Sequence, residues 1–234
     1  MSDIEEIALE LAFNDSDREA IYRAIHSRRD VRRQFTGEPI PEPVLERILE
    51  AAHHAPSVGF MQPWNFILVR DRLIREQVKR LAEEERQAFA LTLPPERAQR
   101  FRRIKIEGIL ESSINIAVTC DSARAGPHVL GRHTIPETDR YSTCLAIANL
   151  WLAARAEGIG VGWVSFYRTD ELRAILGIPT EIEPIAYLCV GPVTRFPAVP
   201  DLQAAGWEER RVLASLVFDD RWGAPSDLFQ APTQ

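Results

Sequence analysis

Residues 141–158 read YSTCLAIANLWLAARAEG, and this stretch decides how the rest of the chain is arranged. Apolar side chains would occupy nearly every side of the helix that it forms, so few positions along it suit water. Such a helix is either buried at the centre of a domain or covered by another chain. Gly158 suits the C-terminal cap. The segments before and after this helix must therefore pack around it.

Short apolar runs bounded by turn residues predict four strands. These runs are WNFILVRD (64–71), INIAVTCD (114–121), IGVGWVSFY (159–167) and EPIAYLCVG (183–191). Helical spacing of apolar residues predicts helices between and before the strands. The helical segments besides 141–158 are 17–28, 41–56, 72–92, 96–110 and 169–177.

Because helices separate the strands, we predict one α+β domain over residues 1–234, with a central sheet that is mixed or largely parallel in its middle. Within this domain, residues 1–16 would form an N-terminal arm. The charged pair of helices at 72–107 would either present a solvated face or act as a lid over a site. Residues 192–234, which are punctuated by proline, would form a C-terminal extension.

Composition narrows the class of protein. The chain has 234 residues, 45% of them hydrophobic, and a formal charge of −6, which argues against nucleic-acid binding by bulk electrostatics. There is no apolar stretch of about 18 residues, so we expect no membrane span. Three scattered cysteines without CxxC spacing, together with an acidic start that lacks a signal-peptide pattern, favour a reducing cytoplasm.

The chain lacks the common signatures of metal and nucleophile chemistry. His53 and His54 are adjacent, so on a helix they point about 100° apart and cannot chelate one ion together. No recognised zinc spacing and no GxSxG motif occur. The glycines of GIGVGWVS (158–165) enter a predicted strand, whereas a dinucleotide-binding loop leaves one. We therefore predict no metal site.

The segment SRRDVRRQF (27–35) holds four arginines around one carboxylate, Asp30. Guanidinium groups donate paired hydrogen bonds to phosphate, so the cluster indicates a phosphate-bearing ligand. A carboxylate at its centre would repel that ligand. Asp30 is then either an ion-pair partner that balances charge on a solvated loop or a carboxylate that takes part in catalysis.

The order and spacing of three motifs resemble the FMN-dependent nitroreductase superfamily over about residues 17–222. The arginine loop follows the first helix, a PS…QPW turn (56–64) follows the second, and Arg210 stands in a C-terminal GW…R segment. Reductases of that superfamily usually carry a small residue at the position of Asp30 and Asn at the position of Phe60.

Four strings resemble a flavin-destroying branch of that superfamily more closely: RRDVRRQF, APSVGFMQPWNFI, YSTCLAIANLWLAARAEG and GVGWVSFY. Members of this branch make 5,6-dimethylbenzimidazole, the lower ligand base of cobalamin, from reduced FMN and O2. The resemblance implies a nitroreductase-like fold, an intertwined homodimer with FMN at the subunit interface, and a separate flavin reductase as the source of reduced FMN.

The resemblance also implies site residues. Asp30 and Ser165 match the two positions that the branch uses for chemistry. The positions that match its FMN contacts are Arg28, Arg29, Val31, Arg32, Ser57, Lys105, Phe166 and Arg210. A base held beside the ribityl chain by flanking arginines suits the proton removal that excision of a benzimidazole requires.

Two other functions remain open on the sequence. An NAD(P)H-dependent FMN nitroreductase would need an open face over the flavin, which Phe60 and the predicted lid argue against. A non-catalytic flavin-binding protein would use Asp30 only as an ion-pair partner.

Overall fold

The computed structural model describes residues 12–229 and places a four-stranded sheet at the centre of the chain. The helices are α1 (Asp15–Ser27), α2 (Glu42–His53), α3 (Arg72–Thr92), α4 (Pro95–Phe101), α5 (Thr138–Ala156), α6 (Thr169–Leu176) and α7 (Asp201–Ala204). The strands are β1 (Trp64–Val69), β2 (Ile114–Cys120), β3 (Ile159–Val164) and β4 (Glu183–Pro192). Short 3-10 turns occupy Val58–Phe60, Leu213–Leu216 and Asp227–Phe229.

The start of the chain differs from the predicted arm over residues 1–16. Residues 1–11 lie outside the described residues, and α1 already begins at Asp15. The Asn14 side chain accepts a hydrogen bond from the Asp17 backbone N–H at 3.0 Å, which caps this helix at its N-terminus.

The sheet has the strand order β1–β2–β4–β3, and each neighbouring pair is antiparallel. The prediction of a mixed or largely parallel sheet is therefore wrong for these four strands. The connection from β2 to β3 through α5 is a single-helix crossover, which makes those two strands parallel to each other. They do not pair, however, because β4 lies between them.

Helix α5 packs one face onto the sheet, as the sequence predicted for a central helix. Its buried residues Ala146, Ile147, Leu150 and Ala154 join the main core. The opposite face is apolar but not covered by the described residues, and Tyr141 and Leu145 remain 57% and 46% exposed. Part of this helix therefore lacks apolar partners among residues 12–229.

The helix predicted over residues 96–110 ends at Phe101, so that prediction is wrong beyond this point. Ile104 and Ile106 are both buried while Lys105 between them is only half-buried, and this alternation belongs to extended chain. Gly108 follows, where a Cβ atom would lie 2.7 Å from the Phe35 ring. Lys105 thus stands on an irregular segment that crosses the core.

A buried arginine on α3 holds this irregular segment in place. Arg75 is 8% exposed and donates hydrogen bonds to the carbonyls of Ile109 (3.0 Å), Ser112 (2.6 Å) and Ser113 (3.3 Å), as well as to the Asn115 side chain. These carbonyls belong to the turn before β2, where no strand partner is available to them. A single side chain therefore joins α3, the turn and the sheet.

We expect Arg75→Met to lower the free energy of unfolding by about 3 kcal/mol, because it leaves several buried carbonyls without donors. Arg72→Met is the matched control, since the Arg72 side chain is 73% exposed and its ion pair with Glu76 lies on the surface. The control should change stability by no more than about 0.5 kcal/mol. Urea unfolding of both variants measures the difference, and equal stabilities would show that the buried hydrogen bonds contribute little.

Candidate active site

The arginine loop lies along the central sheet next to β3. Val31 donates its backbone N–H to the carbonyl of Val161 at 3.1 Å, and Asp30 forms an isolated parallel bridge with Val161. In extended chain, consecutive side chains point to opposite sides. Val31 accordingly enters the core and is fully buried, while Asp30 remains partly accessible.

This contact requires a glycine on β3. A Cβ atom at Gly162 would lie 2.3 Å from the Val31 carbonyl oxygen and 3.4 Å from Asp30 Oδ1. The first distance is well inside van der Waals contact, so only a residue without a side chain lets the two backbones approach. The glycines that the sequence shows in this strand therefore serve close packing.

The Asp30 carboxylate is held by two donors at one oxygen. Oδ1 accepts the backbone N–H of Trp163 at 3.2 Å and lies 2.7 Å from Arg32 Nη1. Arg32 donates from Nη2 to the Trp163 carbonyl at 2.9 Å. The carboxylate, the guanidinium and the backbone N–H and C=O of Trp163 thus form a closed set of contacts.

Two opposing effects set the acidity of this group. Burial raises the pKa of the Asp30 carboxyl above its ordinary value, while the Arg32 guanidinium, the Trp163 N–H and Arg28 act in the opposite direction. Burial is the larger effect, so the carboxylate is a stronger base than it would be in water. A raised pKa of this kind suits a carboxylate that accepts a proton.

Asp30 opens into a cavity of about 380 Å³, here called the aspartate cavity. Its polar lining includes Arg32, Lys105 and Ser165, which come from the arginine loop, the irregular segment after α4 and the residue directly after β3. Lys105 forms an ion pair with Glu111, so its charge is already compensated. Four positions that the resemblance implied thus meet in one cavity.

Aromatic side chains form the opposite wall of the aspartate cavity. Phe101 stacks on Phe166 with ring centroids 6.0 Å apart, and it also contacts Phe89 and Trp207. Phe166 was implied as a flavin contact, whereas the other three were missed because they come from α3, α4 and the C-terminal segment. No sequence pattern links those positions. The predicted lid and the C-terminal extension therefore each contribute to this wall.

A second cavity of about 880 Å³ adjoins the first and shares Trp163 and Pro200 with it. It is here called the arginine groove, because Arg28, Arg29 and Arg210 line it. The exposed apolar face of α5 contributes the other side through Cys144, Ala148, Trp151 and Leu152. Both cavities fall within the size range of ligand pockets, roughly 300–1,000 Å³.

The arginines of this groove differ in how many hydrogen bonds their side chains already donate within the protein. Arg29 donates to the carbonyls of His26 (2.8 Å), Arg28 (2.7 Å) and Ala198 (2.6 Å), so it mainly ties the C-terminal segment to α1. Arg28 lies over the Trp151 ring at 4.8 Å and, like Arg210, makes no hydrogen bond from its side chain within residues 12–229. Arg28 and Arg210 are thus the cations available to an anionic ligand.

Two implied positions line neither cavity. The Val31 side chain is buried beneath the loop, so the structure assigns it to the core. Ser57 lies beside the start of α5, where Val58 donates to Ser142 Oγ at 3.0 Å. Trp151 of the arginine groove follows nine residues later on this helix, or about 13 Å along its axis. Ser57 therefore does not join Asp30 in the aspartate cavity of one chain.

Metal ligation and membrane insertion find little support in the part of the chain that the structure describes. No group of three or more His, Cys, Asp or Glu side chains there could hold a metal ion. None of the helices between residues 12 and 229 has the length and apolar character that a membrane crossing requires.

Comparison with known proteins identifies the family. The model of the nitroreductase family matches residues 25–192, which contain the arginine loop, the sheet and Ser165. The chain belongs to the nitroreductase family. It is 41% identical to the 5,6-dimethylbenzimidazole synthase of Rhodospirillum rubrum over 85% of this chain and 94% of that protein. A 5,6-dimethylbenzimidazole synthase of Rhodobacter capsulatus is 35% identical over 84% of this chain and 95% of its own length.

Solved structures of other proteins share the fold. An iodotyrosine deiodinase bound to FMN and 3-iodo-L-tyrosine superposes with a TM-score of 0.65 at 24% identity, covering 82% of this chain and 97% of that one. The NADPH:FMN oxidoreductase of Vibrio harveyi gives 0.66 at 17% identity, covering 88% and 80%. At these identities the likeness supports the nitroreductase-like α+β architecture that the sequence predicted.

Within this nitroreductase-family fold, the turn that carries Phe60 is strained and exposed. Phe60 and Gln62 have positive φ angles of 55° and 48°, and Phe60 is 82% exposed. Positive φ values are uncommon for residues other than glycine, and a bulky residue in that region is held there by its surroundings. A large aromatic ring therefore projects from a fixed turn, without a partner among residues 12–229.

We expect Gly162→Ala to lower the free energy of unfolding by about 1–3 kcal/mol and to weaken flavin binding, because the added Cβ atom displaces the arginine loop. Gly158→Ala is the control: a Cβ there meets nothing within 4 Å, and only its φ of 75° opposes the substitution. The control should lose stability without losing flavin affinity. Thermal unfolding and flavin titration of both variants measure this, and normal flavin binding by Gly162→Ala would contradict the proposed close approach.

Proposed function

We propose that this chain is a 5,6-dimethylbenzimidazole synthase, which fragments reduced FMN with dioxygen and releases the lower ligand base of cobalamin. The observation that carries the proposal is the position of Asp30. A carboxylate made more basic by burial stands in a cavity that adjoins the arginine groove, within a nitroreductase-family fold. Identity of 41% with a synthase over most of both chains supports the same function.

The lining residues fit FMN by their chemistry. Arg28 and Arg210 offer uncompensated positive charge to a phosphate, and guanidinium groups are well suited to that anion. The Nε atoms of Arg29 and Arg32 are buried without a hydrogen-bond partner among the described residues, so each arginine keeps one donor for a ligand. The aromatic wall of the aspartate cavity suits a flat ring system. These features support reduced FMN spanning the two cavities.

Reduced FMN supplies the electrons that reduce dioxygen, and the protein supplies binding and proton transfer. Arg28 and Arg210 would bind the phosphate, and Phe166 would contact the ring. Asp30 would accept a proton from the sugar-like chain of the flavin as a general base. Ser165, exposed at the end of β3, would donate or accept a hydrogen bond at the reacting part of the ligand.

A second copy of the chain would complete the site. The face of α5 beside the arginine groove exposes Cys144, Leu145 and Ala148. Large apolar side chains near the C-terminus are equally uncovered, and they are Val212, Leu213, Leu216, Trp222, Leu228 and Phe229. Contiguous apolar surface of this kind marks an interface. A homodimer would cover it and would bring Ser57 and the projecting Phe60 of one chain to the cavity of the other.

The projecting aromatic ring favours a synthase over an NAD(P)H-dependent reductase. In the dimer that we propose, Phe60 would lie where a nicotinamide must approach the flavin. Reduced FMN would then come from a separate flavin reductase. The proposed enzyme should consequently oxidise NADH and NADPH far more slowly than it consumes reduced FMN supplied directly.

We expect one aerobic turnover of the protein loaded anaerobically with reduced FMN to yield 5,6-dimethylbenzimidazole and to consume flavin. Asp30→Asn should bind reduced FMN as well as wild type or slightly better, because one negative charge disappears near the ligand. Loss of a positioned base should lower the rate of product formation about 10²–10⁴-fold. Mass spectrometry of product, with recovered FMN measured beside it, tests both statements.

Other outcomes of this experiment point to the other functions. A wild-type protein that returns intact oxidised FMN is a flavin carrier or a reductase, and rapid oxidation of NADPH identifies the reductase. If Asp30→Asn makes product at nearly the wild-type rate, Asp30 is only an ion-pair partner of Arg32.

We expect Ala148→Glu to lower both the dimer fraction and the flavin affinity, because it places a charge on the apolar face of α5. Leu73→Glu is the control, since Leu73 is 68% exposed at the start of α3 and lines neither cavity. Sedimentation velocity of flavin-free protein measures the dimer separately from flavin binding. A wild-type monomer that carries flavin would contradict the proposed interface.

A further inference from the structure

We infer that Arg32 is a positioning residue that fixes Asp30 through Oδ1 and leaves Oδ2 as the atom that takes the proton. This inference rests on the proposed function, and it assigns separate tasks to the two oxygens of one carboxylate. It also gives Arg32 a task besides the flavin contact that its position implied.

The two oxygens of Asp30 have different surroundings. Oδ1 receives the Trp163 N–H at 3.2 Å and lies 2.7 Å from Arg32 Nη1. Oδ2 accepts no hydrogen bond within residues 12–229, and it is absent from the buried side-chain atoms that lack a partner. Oδ2 is therefore accessible, and the side chain that carries it is 37% exposed at the aspartate cavity.

Arg32 is in turn held by the backbone of Trp163, the residue whose N–H holds the carboxylate. Its Nη2 donates to the Trp163 carbonyl at 2.9 Å, and its side chain is only 17% exposed. One guanidinium thus bridges the carboxylate and the end of β3 with two different nitrogens. A planar group with diverging donors can make this bridge, whereas an ammonium group offers a single point of attachment.

The fixed geometry determines the direction of proton transfer. Oδ2 forms the new O–H bond, and the electron pair of the broken C–H bond stays on the flavin substrate. The negative charge of Asp30 is neutralised in this step, while Arg32 remains protonated throughout. Orientation of the base before reaction is the contribution that Arg32 makes to the rate.

The charged groups around Asp30 come from every element packed against it. Arg28 and Arg32 belong to its own loop, Lys105 to the irregular segment, Asp201 to α7 and the Cys189 thiol to β4. Arg32 is the charged neighbour that lowers the pKa of Asp30 most, whereas burial raises it. Removal of Arg32 should therefore raise this pKa further. At a given acidic pH less of the base would be ionised.

The test compares Arg32→Gln with Arg33→Gln, a neighbouring arginine that donates to the Arg103 carbonyl and lines neither cavity. Carbon-13 NMR titration of flavin-free protein follows the Asp30 carboxyl, with Asp30→Asn to assign the signal. In Arg32→Gln the pKa should rise by about one unit or more. In the pH profile of the single-turnover rate, the acid limb should shift to higher pH by the same amount. Arg33→Gln should leave both at the wild-type value.

Arg32→Lys separates charge from positioning and serves also if Arg32→Gln fails to fold. It should keep the pKa of Asp30 near that of wild type, yet at saturating reduced FMN and high pH its rate should fall about 10-fold or more. A Lys variant with the full wild-type rate would overturn the positioning role. Unchanged pKa values in Arg32→Gln, with weaker flavin binding alone, would make Arg32 only a flavin ligand. The titration needs no flavin, so it still tests the contact between Arg32 and Asp30 if the wild-type protein makes no benzimidazole, whereas the positioning role is tested by the rate of Arg32→Lys.

Discussion

The rest of the site depends on one close approach, that of the arginine loop to β3 at Gly162. Because a Cβ atom there would lie 2.3 Å from the Val31 carbonyl, the two backbones meet only at a glycine. The resulting bridge between Asp30 and Val161 fixes which side chains of the loop point inward and which point to the cavity. The position of the carboxylate is thus a consequence of backbone packing.

This placement explains how a charged carboxylate is stabilised away from water among the arginines. Removing a charge from water is costly unless a partner compensates it. Arg32 and the Trp163 N–H supply that compensation at one oxygen, so Asp30 is held without being neutralised. The net result is a carboxylate whose pKa lies above its ordinary value. A surface ion pair between two exposed side chains would not produce this combination.

The sequence predicts local structure better than it predicts contacts between distant segments. The helix at residues 72–92 and all four strands lie where their apolar patterns place them. The direction of the strands was missed, because pairing depends on which strands become neighbours and not on what connects them. Ile104 and Ile106 resemble a helical continuation in the sequence, yet burial in the core keeps them extended.

In the site, too, the residues that local sequence motifs identify differ from those that only the packing of distant segments brings together. Asp30, Ser165 and Lys105 meet in one cavity, as their shared resemblance implied. The residues Phe89, Phe101 and Trp207 carry no local signal, since their common wall exists only after three separate segments pack together. Ser57 lies beside the start of α5 and lines neither cavity of the single chain, so the flavin contact that the resemblance implied for it stays a prediction.

Charge compensation gives the two cavities different preferences for ligand groups. In the aspartate cavity, Arg32 is paired with Asp30 and Lys105 with Glu111, so little net positive charge remains there. In the arginine groove, Arg28 and Arg210 form no ion pair with a carboxylate among the described residues, although Arg28 interacts with Asp30 at longer range. A ligand with a phosphate at one end and an uncharged ring at the other is consequently favoured in one orientation, with the phosphate in the groove. Under the proposed function, Asp30 would therefore do more than provide a base: by neutralising Arg32 it would also direct the phosphate away from the place where the base acts.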